Sequence, residues 1–415
     1  MPNEHNLYRP RHSPRQRTAL TCALAFFLAP AIAFVLGARP EPFENRALHE
    51  FPDPGSGWSF FTGLSKWATD HLPLREAGIR AASGISTGVF GDPPAAGTQS
   101  RGGTVGVSPH QDQPSDIPPA ELFPKVITGK NGWLYLGEDI TGKCLAAMDV
   151  DQVVAALNEL RRAVESSGRR FELVVAPDKS TVVPEHLPDD YVGKDCSQRR
   201  ARAFWQRIPT EAGAIDLRPA LAESAARLGR PLYDPRDSHW TFAGGLTMTK
   251  AVLERIEPGS TSSWKVSASG FRPWPADLLV LLGQSGERRL HTYALAPDGS
   301  ADRTRYIASD FRTPLRVRQP SLQGTTGTTE DSVGVIADSF TQFATPFLAA
   351  AVPDLMIAHV DTVAEASPDR LADMLVDRDV VVVEFVERIV AGGGSALLRD
   401  DVIGRIADVL ARNPR

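Results

Sequence analysis

Along this chain, short unbroken apolar runs alternate with stretches whose apolar residues recur every three to four positions. Phe171-Glu-Leu-Val-Val-Ala176, Ala214-Ile-Asp216, Asp331-Ser-Val-Gly-Val-Ile-Ala337 and Val380-Val-Val-Val-Glu-Phe385 are runs of the first kind. Each reads as a buried strand, and Arg230-Pro-Leu-Tyr-Asp234 reads as a strand end. Val153, Val154, Leu157 and Leu160 have helical spacing, as does the stretch from Thr241 to Ile256. Strands alternating with amphipathic helices predict an α/β domain, a mainly parallel central sheet covered by helices on both faces. From Glu257 to Glu330 the rhythm breaks, with Trp264, Trp274 and many Pro, Gly, Thr and Arg residues. That segment, 257–330, is either a β-rich insertion beside a site or a surface excursion.

The N-terminal part is of another kind. Arg9, Arg11, Arg15 and Arg17 precede Thr18 to Gly37, an uncharged stretch interrupted by Pro30. At 1.5 Å per helical residue its roughly twenty residues match a hydrocarbon core of about 30 Å. The arginines predict a cytoplasmic start over 1–17 and a single transmembrane signal-anchor over 18–37, with everything beyond Arg39 translocated to the periplasm or otherwise outside the cytoplasmic membrane. Ala31-Ile-Ala33 also fits a signal-peptidase site, so cleavage is the competing reading. Residues 38–118 follow as a juxtamembrane region and linker. Phe43 to about Phe90 reads as a short helical part, and Gly91 to Pro119 is too rich in Gly, Pro, Ser and Gln to fold alone. The remaining 119–415 is long enough for one large domain.

Charge and cysteines narrow the class. Forty-five basic against fifty acidic residues give a net charge of −5 with the signs interspersed. That excludes nucleic acid as an expected partner. Of three cysteines, Cys22 lies in the apolar segment. Cys144 and Cys196 fall in the exported part, where an oxidising compartment lets them pair. Closing that loop of about fifty residues would stabilise the fold by roughly 4 kcal/mol; the alternative is two buried thiols. The histidines are scattered and neither Cys-x-x-Cys nor His-Glu-x-x-His occurs, so no metal and no cofactor is expected.

The candidate chemistry sits at two strand-to-helix turns. Asp237-Ser-His-Trp240 places a carboxylate and an imidazole two residues apart, and Asp338-Ser-Phe340 follows the strand ending at Ala337. A serine hydroxyl needs an imidazole to take its proton, and the imidazole works best when a carboxylate fixes its tautomer and stabilises its charge. Ser339, His239 and Asp237 supply those three parts. The backbone N–H groups after Ser339 are candidate oxyanion donors if a helix begins there.

Several separated motifs keep company with these. Phe43-Glu-Asn-Arg-Ala-Leu48, Trp67-Ala-Thr-Asp-His-Leu-Pro-Leu-Arg75, Gly129-Lys-Asn-Gly-Trp-Leu-Tyr-Leu136, Val174-Val-Ala-Pro-Asp-Lys-Ser-Thr181, Pro184-Glu-His-Leu-Pro188, Asp237-Ser-His-Trp240, Asp338-Ser-Phe340 and Val383-Glu-Phe-Val-Glu-Arg388 occur in that order. Together they resemble the alginate O-acetyltransferase family of the AlgJ/AlgX kind, from Phe43 to the C-terminus. The resemblance implies an SGNH-hydrolase-like three-layer α/β/α domain with rearranged motif order, in which Ser339 is the nucleophile, His239 the base and Asp237 its orienting carboxylate.

The same resemblance implies an acetyl group passing through an acyl-serine to a polysaccharide acceptor such as alginate or another exopolysaccharide. It also implies a multipass membrane acyltransferase of the MBOAT type as donor. A carbohydrate acetyl esterase with the same triad and a non-catalytic export scaffold are the rivals. No C-terminal carbohydrate-binding module is expected, since the chain ends one helix after Glu387-Arg388. Lys179 then becomes a candidate for contacting a sugar, against the alternative of a solvated lysine. Trp240 is a candidate for stacking on one, against packing beside the histidine. Glu384 and Arg388 are expected either to pair with each other or to touch substrate. Where the family usually has Gly-Asp-Ser, this chain has Ala337-Asp338-Ser339, which matters only if that position needs positive φ.

Overall fold

The computed structural model describes residues 14–38, 51–55, 57–71, 117–360 and 368–415. The chain divides into two units, residues 1–95 with 280–284 and residues 96–279 with 285–415. In the first, helices Pro14–Val35 and Trp58–Asp70 are described, and Phe34 meets Trp67 edge to face at 5.7 Å. Among the described residues no helix is long and apolar enough to cross a membrane. The expected span from Thr18 to Gly37 coincides with the first of these helices, and some of its side chains lie outside the described residues. So do most of the expected helical region from Phe43 to Phe90 and nearly all of the linker from Gly91 to Pro119.

The second unit is built on a six-stranded sheet. A small antiparallel pair, β1 (Val126–Thr128) and β2 (Leu134–Leu136), precedes it. The sheet takes β3 (Arg170–Ala176), β4 (Ile215–Asp216), β7 (Leu315–Arg318), β8 (Ser332–Ala337), β9 (Asp354–His359) and β10 (Val380–Val386). Between β4 and β7 in the chain comes a separate two-stranded antiparallel hairpin of β5 (Lys265–Pro275) and β6 (Glu287–Ala296). The sheet order is β4-β3-β10-β8-β9-β7, parallel except for the antiparallel edge strand β7.

Central position explains composition. β10 lies between β3 and β8 and all seven of its residues are buried, as a strand covered on both faces must be. Its alternate residues enter two cores. Val380, Val382 and Val386 join Val174, Val335 and Leu355 against helix Phe242–Ile256; Val381, Val383 and Phe385 join Leu173, Val175 and Met356 against helices Val150–Glu165, Lys194–Glu211, Pro368–Leu375 and Asp400–Ala411. The result is three layers, α/β/α, as the sequence pattern requires. Helix Val150–Glu165 starts where Asp149 and Gln152 form a reciprocal capping box.

One element differs from expectation. Arg230–Asp234 is no strand of the sheet: only Tyr233 bridges, to Trp240, which folds the intervening loop back on itself. The segment 257–330 supplies the β5–β6 hairpin and the edge strand β7. Cys144 and Cys196 are joined with Cα atoms 5.2 Å apart, tying helix Glu138–Cys144 to helix Lys194–Glu211.

Candidate active site

Strand β8 delivers Ser339. At its C-terminal end the chain enters a 3-10 turn, Ser339–Phe343, capped by Asp338. Asp338 Oδ1 accepts from Phe340 N at 2.8 Å and Oδ2 accepts from Val386 N, at the end of neighbouring β10, at 2.7 Å. Glu384 Oε2 accepts from Asp338 N at 3.1 Å and from the Thr341 hydroxyl at 3.0 Å. Burial and the adjacent Asp338 charge push the Glu384 carboxyl well above the usual range. The turn is therefore fastened to β10 from both sides. Ala337 does not have positive φ, so alanine there is unstrained.

The loop from Tyr233 to Trp240 delivers the base. Lys179 Nζ, fully buried, donates to the carbonyls of Asp237 at 2.7 Å and Asp234 at 3.1 Å. It faces the rings of Tyr135 and Trp133 at 5.1 and 5.6 Å. Burial brings its pKa down to about 8. Trp240 is fully buried too, its indole N–H on the Phe340 carbonyl at 2.9 Å. Both side chains lie inside the fold, where a sugar has no access, and they join the base loop to the nucleophile turn. The alternative of packing beside the histidine describes Trp240; Lys179 is neither solvated nor at a sugar-facing surface.

Gly244 and Gly245 in helix Phe242–Ile256 let the two parts close up. A Cβ on Gly245 would lie 2.1 Å from the Phe343 carbonyl oxygen, and one on Gly244 would lie 2.5 Å from the Trp240 side chain.

These supports bring the three predicted residues together. His239 Nε2 lies 2.7 Å from Ser339 Oγ, and Nδ1 lies 2.9 Å from Asp237 Oδ1. Asp237 Oδ1 also accepts from His239 N at 2.9 Å. His239 and Asp237 are buried, whereas Ser339 is half-buried and so reachable from outside. Of the expected oxyanion donors, the first N–H after the serine is committed: it is the Phe340 group bonded to Asp338.

Two further residues complete the site and were not singled out by sequence. Asp277, at the start of helix Asp277–Leu281, puts Oδ2 3.3 Å from His239 Nδ1. Its backbone N–H reaches Asp237 Oδ2 at 3.2 Å, and its Oδ1 accepts from the backbone N–H of Ser238 at 2.8 Å. Arg288, buried on β6, stands 2.9 Å from Asp237 Oδ2. Burial alone would push the His239 imidazole down, but hydrogen bonds to Asp237 and then Asp277, with their charges, carry it up to about 9. Burial would raise Asp277, but the histidine's hydrogen bond and charge hold it well below the usual carboxylate range.

Asp237, His239 and Asp277 also bring three donor atoms within 4.8 Å of one another. Nδ1 faces both carboxylates, Nε2 faces Ser339 and Arg288 faces Asp237, so hydrogen bonds and ion pairs account for the whole donor set.

Glu384 and Arg388 do not pair with each other. Arg388 Nη1 instead reaches Asp178 at 3.1 Å and Asp139 at 3.5 Å, while Lys143 Nζ reaches Asp178 at 2.7 Å and Glu387 at 2.9 Å. All five members of this cluster are buried. Burial and the Asp178 charge raise the Asp139 carboxyl to about 7. A cavity of about 400 Å³ beside this cluster, lined among others by Lys143, Ser180, Glu185, Tyr191 and Lys194, includes no member of the triad in its wall.

A family model described as "SGNH hydrolase-like domain, acetyltransferase AlgX" matches residues 126–310. Those residues are similar to part of an SGNH-like acetyltransferase domain of the AlgJ/AlgX type. The match contains Lys179, Asp237, His239, Asp277 and Arg288 and stops before Ser339, whose place in the site rests on the geometry above. Probable alginate O-acetylase AlgJ of Pseudomonas syringae pv. tomato is 24% identical over 164 residues, 38% of this chain and 41% of that protein. The protein of the same name from Pseudomonas putida is 23% identical over 173 residues, 38% of this chain and 42% of that protein. The chain thus spans about two fifths of these curated relatives. Among solved structures, the O-acetyltransferase domain of Pseudomonas putida AlgJ has 18% identity and a TM-score of 0.44, covering 65% of this chain and 93% of that one. Pseudomonas aeruginosa AlgX has 15% identity and a TM-score of 0.46, covering 70% and 68%.

Proposed function

We propose that this protein is a serine-dependent O-acetyltransferase that moves an acetyl group onto hydroxyls of an exported polysaccharide. The observation that carries the reading is the continuous line from Asp237 Oδ1 through His239 to Ser339 Oγ, with bonds of 2.9 and 2.7 Å. His239 Nε2 takes the Ser339 proton as Oγ attacks the donor's acetyl carbon. Nε2 then returns that proton to the departing donor group, leaving an acyl-serine. A sugar hydroxyl next gives its proton to Nε2 and attacks the same carbonyl carbon, and Ser339 leaves with the proton back on Oγ. With water in place of the sugar the same residues make an esterase.

The acceptor class is supported by the relatives named as alginate O-acetylases, and alginate or a related exopolysaccharide is the substrate we propose. The donor we propose is a multipass membrane acyltransferase of the MBOAT type. It meets a domain held outside the cytoplasmic membrane by the apolar segment from Thr18 to Gly37.

The deciding experiment incubates purified protein with p-nitrophenyl acetate and an acidic oligosaccharide and measures nitrophenol release together with acetylated sugar. Wild type should produce both, and Ser339→Ala and His239→Ala should each lower them by about 10⁴-fold or more. Wild-type turnover by folded Ser339→Ala would remove the nucleophile assignment. Acetate release with no acetylated sugar from any acceptor would make the protein an esterase.

A further inference from the structure

We propose that Asp277 and Arg288, both delivered by the β5–β6 hairpin segment, are positioning residues that make His239 a charge-balanced base: Asp277 is a second carboxylate on the imidazole, and Arg288 is the counter-charge of the first. This rests on the triad read above.

The geometry is specific about which atom each group serves. Asp237 gives Oδ1 to His239 and keeps Oδ2 for Arg288, 2.9 Å away, and for the backbone N–H of Asp277. Asp277 is in turn held by Ser238, whose N–H and hydroxyl both donate to its carboxylate. Its Oδ2 thereby stands 3.3 Å from Nδ1, and Ser238 Oγ itself lies 3.3 Å from the same nitrogen. The remaining faces of the ring meet Phe340 and Phe343, with centroids 4.9 and 5.7 Å away. Of the other cations at the loop, Lys179 is turned to the carbonyls of Asp234, Pro235 and Asp237, and Arg236 is exposed to solvent.

Charge then decides what the arrangement favours. Two carboxylates against one guanidinium leave an uncompensated negative charge around a neutral imidazole, and protonating Nε2 cancels it. In a site this buried an uncompensated charge is costly. The balanced state has imidazolium at His239, the state that must form when the serine or sugar proton is taken. A triad with one carboxylate stabilises that state once; here the hairpin adds a second carboxylate and prevents the first from facing Asp277 unscreened. The consequence is a base with high proton affinity, occupied at neutral pH, so turnover should rise on the alkaline side.

The test uses the full chain and two readings. The first is kcat/KM for p-nitrophenyl acetate across pH in wild type and Asp277→Asn, a change that keeps the side chain's shape. The second is titration of the His239 ring by NMR in the same two proteins, which needs no turnover. In wild type both midpoints should fall near 9, and in Asp277→Asn both should drop by about 1 pH unit or more, as expected on losing an adjacent charge. A folded Asp277→Asn with unchanged midpoints would overturn the proposal. So would a wild-type His239 midpoint at or below about 6.5, the value for a free imidazole; that reading stands even if the variant does not fold. Full turnover in Ser339→Ala would instead sink the triad, while the NMR midpoints would still decide the role of Asp277.

Discussion

Replacing Gly245 by alanine tests whether the nucleophile is positioned by the helix behind it. Gly245 lies inside helix Phe242–Ile256, where alanine is intrinsically the better residue by roughly 0.5–1 kcal/mol. Its missing side chain, however, is where the nucleophile turn passes. A Cβ would sit 2.1 Å from Phe343 O, 2.2 Å from Phe343 C and 2.5 Å from Ala344 N. Ordinary contact begins near 3.4 Å, so helix and turn must part by roughly 1 Å, and every obstructing atom is backbone.

Overpacking of this kind costs about 1–3 kcal/mol. Set against the helical gain, a net loss of about 1–2 kcal/mol is expected. The catalytic effect should be larger. Ser339 and Phe343 belong to one short turn, and a displacement of about 1 Å breaks the 2.7 Å alignment of Oγ with Nε2. Misplacement on that scale costs on the order of 10²-fold in rate. The assay is thermal unfolding together with nitrophenyl acetate turnover, and Gly404→Ala is the control. Gly404 lies in helix Asp400–Ala411, where a Cβ would meet nothing within 4 Å, so there alanine should stabilise by about 0.5–1 kcal/mol with activity unchanged. If Gly245→Ala behaves like Gly404→Ala, the helix does not position the nucleophile.

Two further outcomes are expected. Lys179→Met should lower kcat and cost about 1–3 kcal/mol, because the Asp237 carbonyl loses its donor, while KM for the sugar stays within about twofold; a rise in KM at unchanged kcat would mean that the lysine binds substrate after all. A reporter fused after Arg415 should be active only if it works outside the cytoplasm, the outcome expected from the placement proposed on the arginine-rich start and apolar segment. Inactive alkaline phosphatase with a bright cytoplasmic fluorescent protein at that position would overturn the proposed placement.

What could be read in advance follows from how each part is determined. Strands β3, β8 and β10 are legible because a parallel strand buried on both faces must be a continuous apolar run. The end of such a strand is where an open α/β sheet places its site, which makes Ser339 legible as well. Arg230–Asp234 looks like a strand end for the same apolar reason, yet it forms one bridge because its backbone turns back through Trp240. The Leu315–Arg318 strand lies at an antiparallel edge with only Val317 buried, too short an alternation to stand out. Glu384 did offer a clue: a carboxylate inside the Val380–Val386 run has to find a partner. Its partners, Asp338 and Thr341, lie on another strand's turn and so appear only in three dimensions.

Asp277 and Arg288 illustrate the limit most directly. Neither belongs to a periodic pattern, and the segment holding them departs from the rhythm of the sheet. Their relation to His239 is created by the hairpin: β5 leads into the helix that begins at Asp277, and β6 returns with Arg288 one residue inside its start. The nucleophile, the base and the electrostatic setting of the base therefore come from three separate parts of the chain, each fixed differently. Asp338 and Glu384 hold the serine turn to β10, Lys179 and Trp240 hold the histidine loop, and the hairpin sets the charge. The supports touch at Trp240, bonded to the Phe340 carbonyl, and at Phe343, against which Trp274 and Arg288 of the hairpin pack; neutralising Asp277 alone should therefore move the pH at which the base works without moving Ser339, whereas perturbing Gly245 should move Ser339 without changing the carboxylates around His239. A variant in either set that altered both readings would mean that the hairpin and the nucleophile turn are mechanically one unit.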